Sequence, residues 1–240
     1  MDNVLRIRAS LGMVNHLGAA IPVAEVGLGG VPGGAVLMLS EQGELEATAD
    51  EFGNRFAEFG YESTTADLGA AFELTGARDE QITAAVGALI EHVGRRGWSP
   101  DQIGVVGYGR AGRGSLLAAG AFPVGAAVSS AARLDDVAPQ NAPAVRPTAP
   151  WLGMFAQDPS DPGGRRVKAF AVRIDATSPV HTTVLAYPRV TAAFYRDSRE
   201  PWEHAASFDC WQRTLEWLNL RVAPRPTVLA WAWRERHRAA

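Results

Sequence analysis

The sequence predicts an α/β protein built on a doubly wound, mostly parallel sheet flanked by helices. Three observations predict it. The runs "GAVLMLS" and "IGVVGY" are short and continuously apolar, as strands buried on both faces are. Between such runs lie segments of crossover length with apolar residues at helical spacing, such as Leu45, Ala49, Phe52, Phe56 and Phe59. Strand and helix then alternate along most of the 240 residues, the pattern of parallel βαβ connections.

Taken in order, residues 4–9 and 21–28 read as two strands joined by a turn near "NHLGAA". "GLGGVPGG" punctuates the chain before the buried strand "GAVLMLS". A helix over "ELEATADEFGNRFAEFG" and a strand over "YESTTADL" follow. Ile82, Val86, Leu89, Ile90 and Val93 place an amphipathic helix over 79–95. Beyond the glycine-rich segment at 107–112 come a strand "VGAAVSSA", a Pro/Ala loop at 132–149 and a strand "WLGMFAQ". A helix over 163–175, a strand "HTTVLAYP" and a helix over 202–220 complete a domain spanning 1–222. A helical extension is expected over 223–240. Ligands of such sheets bind beyond the carboxyl ends of the strands.

Composition narrows the partners. A formal net charge of -3 without a basic tract speaks against nucleic acid. Lys168 is the one lysine among 23 basic residues, a skew that reflects coding composition rather than a phosphate-binding face. The single cysteine, Cys210, excludes an intramolecular disulfide and a cysteine zinc cluster. No apolar run reaches the roughly 20 residues of a membrane span, and the start lacks the apolar core of a secretory signal. A cytoplasmic protein with no membrane partner is expected. No His/Asp/Glu pair has ligand spacing, so no metal or cofactor is expected.

The stretch "QIGVVGYGRAGRGSLLAAG" reads as a buried strand turning sharply into a helix. Its Gly107-Tyr108-Gly109-Arg110-Ala111-Gly112 has the small flanks that a strained nucleophile turn needs, but glycine at the tip. The same residues fit a phosphate-binding G-x-G-x-x-G, yet they sit in mid-chain. Asp135 and Asp136 also lie too far downstream to be the ribose acid.

Over about residues 20–222 the chain resembles the dienelactone hydrolase family of the α/β-hydrolase fold. The ordered segments that carry the resemblance are "AVLMLSEQGELEATADEFGNRFAEFGYESTTADL", "IGVVGYGRAG", "WLGMFAQDPSDP" and "VLAYPRVTAAFYRDSREPWEHAASFDCWQRTLEWL". The resemblance implies that the family's cysteine nucleophile falls on Gly109 and its histidine on Ala192. It places the triad aspartate on Asp158, the glutamate that contacts the resting nucleophile on Glu41, and a substrate-carboxylate arginine on Arg196. The N–H of Arg110 would form half an oxyanion hole. Glycine and alanine supply neither a nucleophile nor a base, although both sites read as wide enough to take back cysteine and histidine.

Other residues have plainer readings. Ser129 and Ser130 end a strand and can face the cleft, whereas Ser115 points away from the tip. The histidines read as turn or surface residues, and Cys210 as a buried structural thiol. Without a histidine, Asp158 is expected to cap a turn in "QDPSDP". Glu41 is expected to pair with Arg110 or Arg196 in a polar cleft that also holds Arg113. Three functions stay open: a non-catalytic binding or assembly subunit, a hydrolase using other residues such as Ser129 or Ser130, and a small-molecule binder. A homodimer or other protein partner, through the Trp231/Trp233 tail, and a small carboxylate or ester in the pocket are the partners these readings imply.

Overall fold

In the computed structural model the described residues are 6–226 without 42, 44, 75, 141, 162, 193 and 196–199. Their centre is an eight-stranded sheet. Strands β1 (Ser10–His16) and β2 (Ala19–Val26) form a hairpin, followed by β3 (Gly34–Ser40) and β4 (Tyr61–Asp67). Strands β5 (Ile103–Tyr108), β6 (Ala126–Ala132), β7 (Trp151–Ala156) and β8 (Thr182–Tyr187) complete it. The order is β1-β2-β4-β3-β5-β6-β7-β8. Strands β4, β3 and β5 to β8 run parallel, and β1 and β2 are antiparallel. This is the mostly parallel α/β arrangement that the apolar runs predict.

The hairpin begins later than the expected strand at 4–9. Its turn is Leu17-Gly18, with φ of 47° and 81°, as a two-residue primed turn requires. That turn fixes the register, pairing Ser10 with Glu25 and His16 with Ala19, so β1 lies over 10–16. Ile7 instead lies against the first helical segment, where the Asn54 side chain bonds both its N–H and its C=O.

Helices cover both faces. One face carries α4 (Asp79–Gly94), α5 (Gly112–Ala121) and α7 (Arg165–Thr177), packed through Val86, Leu89, Leu116, Phe170 and Ile174. The other carries the segment α1 (Leu45–Thr48), a π-helical turn over Ala49–Gly53 and α2 (Asn54–Glu58), together with α8 (Pro201–Arg221). Phe52, Phe56, Trp211, Leu215 and Leu218 fill that side. Strand β3 serves both cores by alternation: Leu37 and Leu39 face one, Val36 and Met38 the other. Two short helices, α3 (Leu68–Ala71) and α6 (Leu134–Val137), follow β4 and β6 at the carboxyl edge. The second breaks the expected 132–149 loop.

After α8 the chain runs without helix over 223–226, and Arg225 is held by the carbonyls of Gly33 and Gly97 and by the Trp98 ring, 3.9 Å away. The expected helical extension otherwise lies outside the described residues. Among the described residues no helix is long and apolar enough to cross a membrane.

Candidate functional site

Strand β5 enters the turn through Tyr108, a 3-10 turn spans Gly109–Ala111, and α5 begins at Gly112. The turn is tight enough to dictate its residues. A Cβ on Gly107 would strike the carbonyl of Ala111 and come within 2.8 Å of Gly112 Cα. Gly109 has a φ of 55°, in the left-handed region that favours glycine. Its side-chain direction is also filled, because a Cβ there would collide with Glu41 Oε1. The tip is therefore not the open site the sequence suggested.

Glu41 reaches this place because β3 lies beside β5. The register pairs Leu39 with Gly107, so two residues further on Glu41 stands beside Gly109. Its Oε1 accepts the backbone N–H of Arg110 at 2.7 Å. Its Oε2 accepts from Arg110 Nη2 at 2.9 Å and Nε at 3.2 Å. This pairing holds the Arg110 guanidinium above its ordinary pKa, through the hydrogen bond first and the Glu41 charge second. Asp136 on α6 lies in the same field. Burial raises its pKa, and nearby Arg133 and Arg110 only partly offset this.

Asp158 sits on the loop after β7. Its Oδ1 accepts from the N–H and the hydroxyl of Ser160, at 2.8 and 2.7 Å, which closes an Asx turn. Its Oδ2 lies 3.4 Å from Arg166 Nη1. These bonds, the Ser160 hydroxyl first, lower the Asp158 carboxyl below the usual range. Arg166 also pairs with Asp135. Asp158 and Ala192 line one cavity of about 300 Å³, whose walls include Arg133, Arg166, Val167 and Val190. Gly109, Glu41 and Arg110 are not among those walls.

The remaining candidates are placed as follows. Arg196 lies outside the described residues. Arg113 is not in a cleft with Glu41. It is buried at 5% exposure, bonding Asp79 through two nitrogens and the Val137 carbonyl at 2.7 Å. Burying a guanidinium on the core face of α5 is costly unless an acid pairs with it, and the amino end of α4 supplies one. Ser129 does not face a cleft: it is fully buried, bonding the Gly112 carbonyl, Ser115 and the Trp151 indole. Ser130 turns to the opposite layer, 3.1 Å from Cys210 Sγ. Cys210 is buried, and burial pushes its thiol up to about 12. His181 precedes β8 at the edge remote from the tip, against Trp217 and Arg221. Among the described residues no cluster of His, Cys, Asp or Glu is arranged to hold a metal.

Sequence reasoning missed Arg133 and Arg166, and it weighed Asp135 and Asp136 only as a ribose acid. The signal was present in "ARLDDV", a charged run directly after the carboxyl end of a buried strand, where ligands of such sheets bind.

The profile of the dienelactone hydrolase family matches residues 26–221. The chain belongs to that family. Its fold is that of the α/β hydrolases. A Klebsiella pneumoniae subsp. pneumoniae protein assigned as a dienelactone hydrolase superposes with a TM-score of 0.71 at 21% identity, covering 88% of this chain and 98% of that one. The dienelactone hydrolase of Anabaena variabilis gives 0.62 at 19% identity, covering 91% and 100%. An acylaminoacyl peptidase of Pyrococcus horikoshii gives 0.68 at 10% identity, covering 92% of this chain and 43% of that one. No curated protein matches the chain in sequence. For this dienelactone hydrolase family member, the tip of the strand-turn-helix is thus a glycine covered by a glutamate.

Proposed function

We propose that this member of the dienelactone hydrolase family has a degenerate triad and serves as a non-catalytic binding or assembly subunit. One observation carries the reading. The Glu41 carboxylate occupies both the space a side chain at 109 would take and the amide of Arg110. An oxyanion-stabilising donor acts only where it is aimed at the developing charge. Here that donor is already bound to a resident anion. The base position holds Ala192, and Asp158 spends its near oxygen on Ser160.

An alternative hydrolase built on Ser129 or Ser130 is not favoured, since both hydroxyls are buried and bonded within the core. We place the protein in the cytoplasm, with a second copy or another protein as its partner and a small carboxylate or ester as the guest of the pocket. Incubation of purified protein with p-nitrophenyl esters and with serine- and cysteine-directed probes tests the reading. No burst, no turnover and no adduct by mass spectrometry are expected. Stoichiometric labelling of a pocket residue, lost when that residue is replaced, would overturn it.

A further inference from the structure

Strand β1 closes one end of the sheet, and among the described residues it bonds β2 alone. Its pairing with β2 runs unbroken from Ser10 with Glu25 to His16 with Ala19, so no bulge twists the edge away. Residues 9–18 contain no proline and no Asp, Glu, Lys or Arg. Exposed edges are ordinarily kept apart by charge, proline or bulges, and β1 carries none of them.

The hairpin decides which backbone groups stay free. A two-residue turn closes on a hydrogen-bonded pair, here His16 with Ala19, and bonded and non-bonded pairs then alternate. Ser10, Gly12, Val14 and His16 thus direct their N–H and C=O to β2, and those of Leu11, Met13 and Asn15 point outward. Pro22, opposite Met13, fits this phase because it has no N–H to give. Leu11 and Met13 also put their side chains on the face opposite buried Val14, where they are 63% and 55% exposed. The other end of the sheet is better covered. Strand β8 is mostly half-buried, and its Tyr187 is tied to Asp209 of α8.

We propose that β1 pairs antiparallel with β1 of a second copy, about a twofold axis at Met13. Met13 then faces the partner's Met13, and Leu11 faces the partner's Asn15. Each such pair exchanges both of its N–H···O bonds, so the outward groups satisfy one another by symmetry. The Leu11 and Met13 side chains of both copies join in one apolar strip. No like charges meet, because Arg8 falls opposite the partner's Gly18. One seven-residue strand is small against the roughly 800 Å² per partner of a stable interface, which makes this a weak dimer with a micromolar dissociation constant. The inference deepens, and rests on, the reading of the chain as an assembly subunit.

Sedimentation velocity of the full chain across the micromolar range tests it, with a concentration-dependent shift from monomer to dimer expected. Met13→Lys and Met13→Glu each place like charges face to face across the axis, and each weakens the dimer at least about tenfold. Mixing the two variants in equal amounts restores the dimer, which shows that both still fold. Truncation after Pro226 leaves it intact. A monomer at every concentration, a dimer indifferent to both Met13 variants, a mixture that stays monomeric, or a dimer lost on truncation would each overturn the proposal. Ester turnover in the same samples keeps the two readings apart. A dimer that turns over ester sinks only the non-catalytic reading, and a monomer without turnover sinks only the edge contact.

Discussion

Two constraints meet at Gly109: a backbone φ of 55° and a carboxylate oxygen where Cβ would stand. The first costs a non-glycine residue about 1–2 kcal/mol, and the second forces Glu41 away from the Arg110 amide. Gly109→Ala should therefore lower stability by about 1–3 kcal/mol in urea unfolding. Because Glu41→Ala removes the obstacle, the double variant should be more stable than the sum of the singles predicts, by at least about 0.5 kcal/mol. Strict additivity would show that Glu41 does not press on the tip. Asp136 makes a pH-dependent prediction. Its folded pKa lies above the ordinary 3.8, because burial disfavours the charged form. Its contribution is most favourable below the unfolded value and is lost as pH rises through the folded one, so at neutral pH it is a cost. Asp136→Asn should raise stability at pH 7 by about 0.5 kcal/mol, allowing for its partial exposure, and the gain should vanish near pH 3. A gain that persists unchanged at pH 3 would contradict burial as the cause.

Between elements, the buried Arg113 is the tie with most at stake. It joins α5 to the first turn of α4 through Asp79 and to the end of α6 through the Val137 carbonyl. Removing one partner of a buried pair leaves a charge without compensation. Arg113→Ala should cost about 3 kcal/mol, and Asp79→Ala somewhat less, because Asp79 is 23% exposed. A double-mutant cycle should return a coupling above about 1 kcal/mol, and a value near zero would reduce the contact to coincidence. The sheet-to-α8 contact makes a chemical prediction. Cys210 is fully covered between β6 and α8, and its thiol is raised to about 12. Thiol reagents at pH 8 should leave the native protein unmodified and label it only as fast as it unfolds. Prompt labelling would mean that α8 opens from the sheet.

At the scale of the whole molecule, the chain beyond α8 is tied back onto the domain. Arg225 anchors the chain to Gly33, Gly97 and Trp98, so truncation after Pro226 keeps that anchor and removes only 227–240, with Trp231 and Trp233. If that segment is the subunit contact of a homodimer, light scattering should show a lower mass after truncation. A monomer both before and after, with unchanged stability, would remove the tail from the list of interfaces. A closed twofold pair is expected because such assemblies are the commonest.

The layers and the order of the elements are legible in the amino-acid sequence alone. Continuous apolar runs name the strands buried on both faces, helical spacing in 45–59 and 79–94 names their covers, and the glycines of 107–112 name the sharp turn. These are local signals, and local signals survive into the fold because each element's pattern matches the surface it must bury. Which distant side chains meet is set by packing in three dimensions. Glu41 lies beside Gly109 because β3 and β5 are neighbours in the sheet although 69 residues separate their starts. Arg113 turned from the cleft to Asp79, and Ser129 turned inward to Trp151, because face and depth are set by packing. The cavity that joins Asp158, Ala192, Arg133 and Arg166 is assembled from four loops and helix ends, and no single stretch of chain contains it.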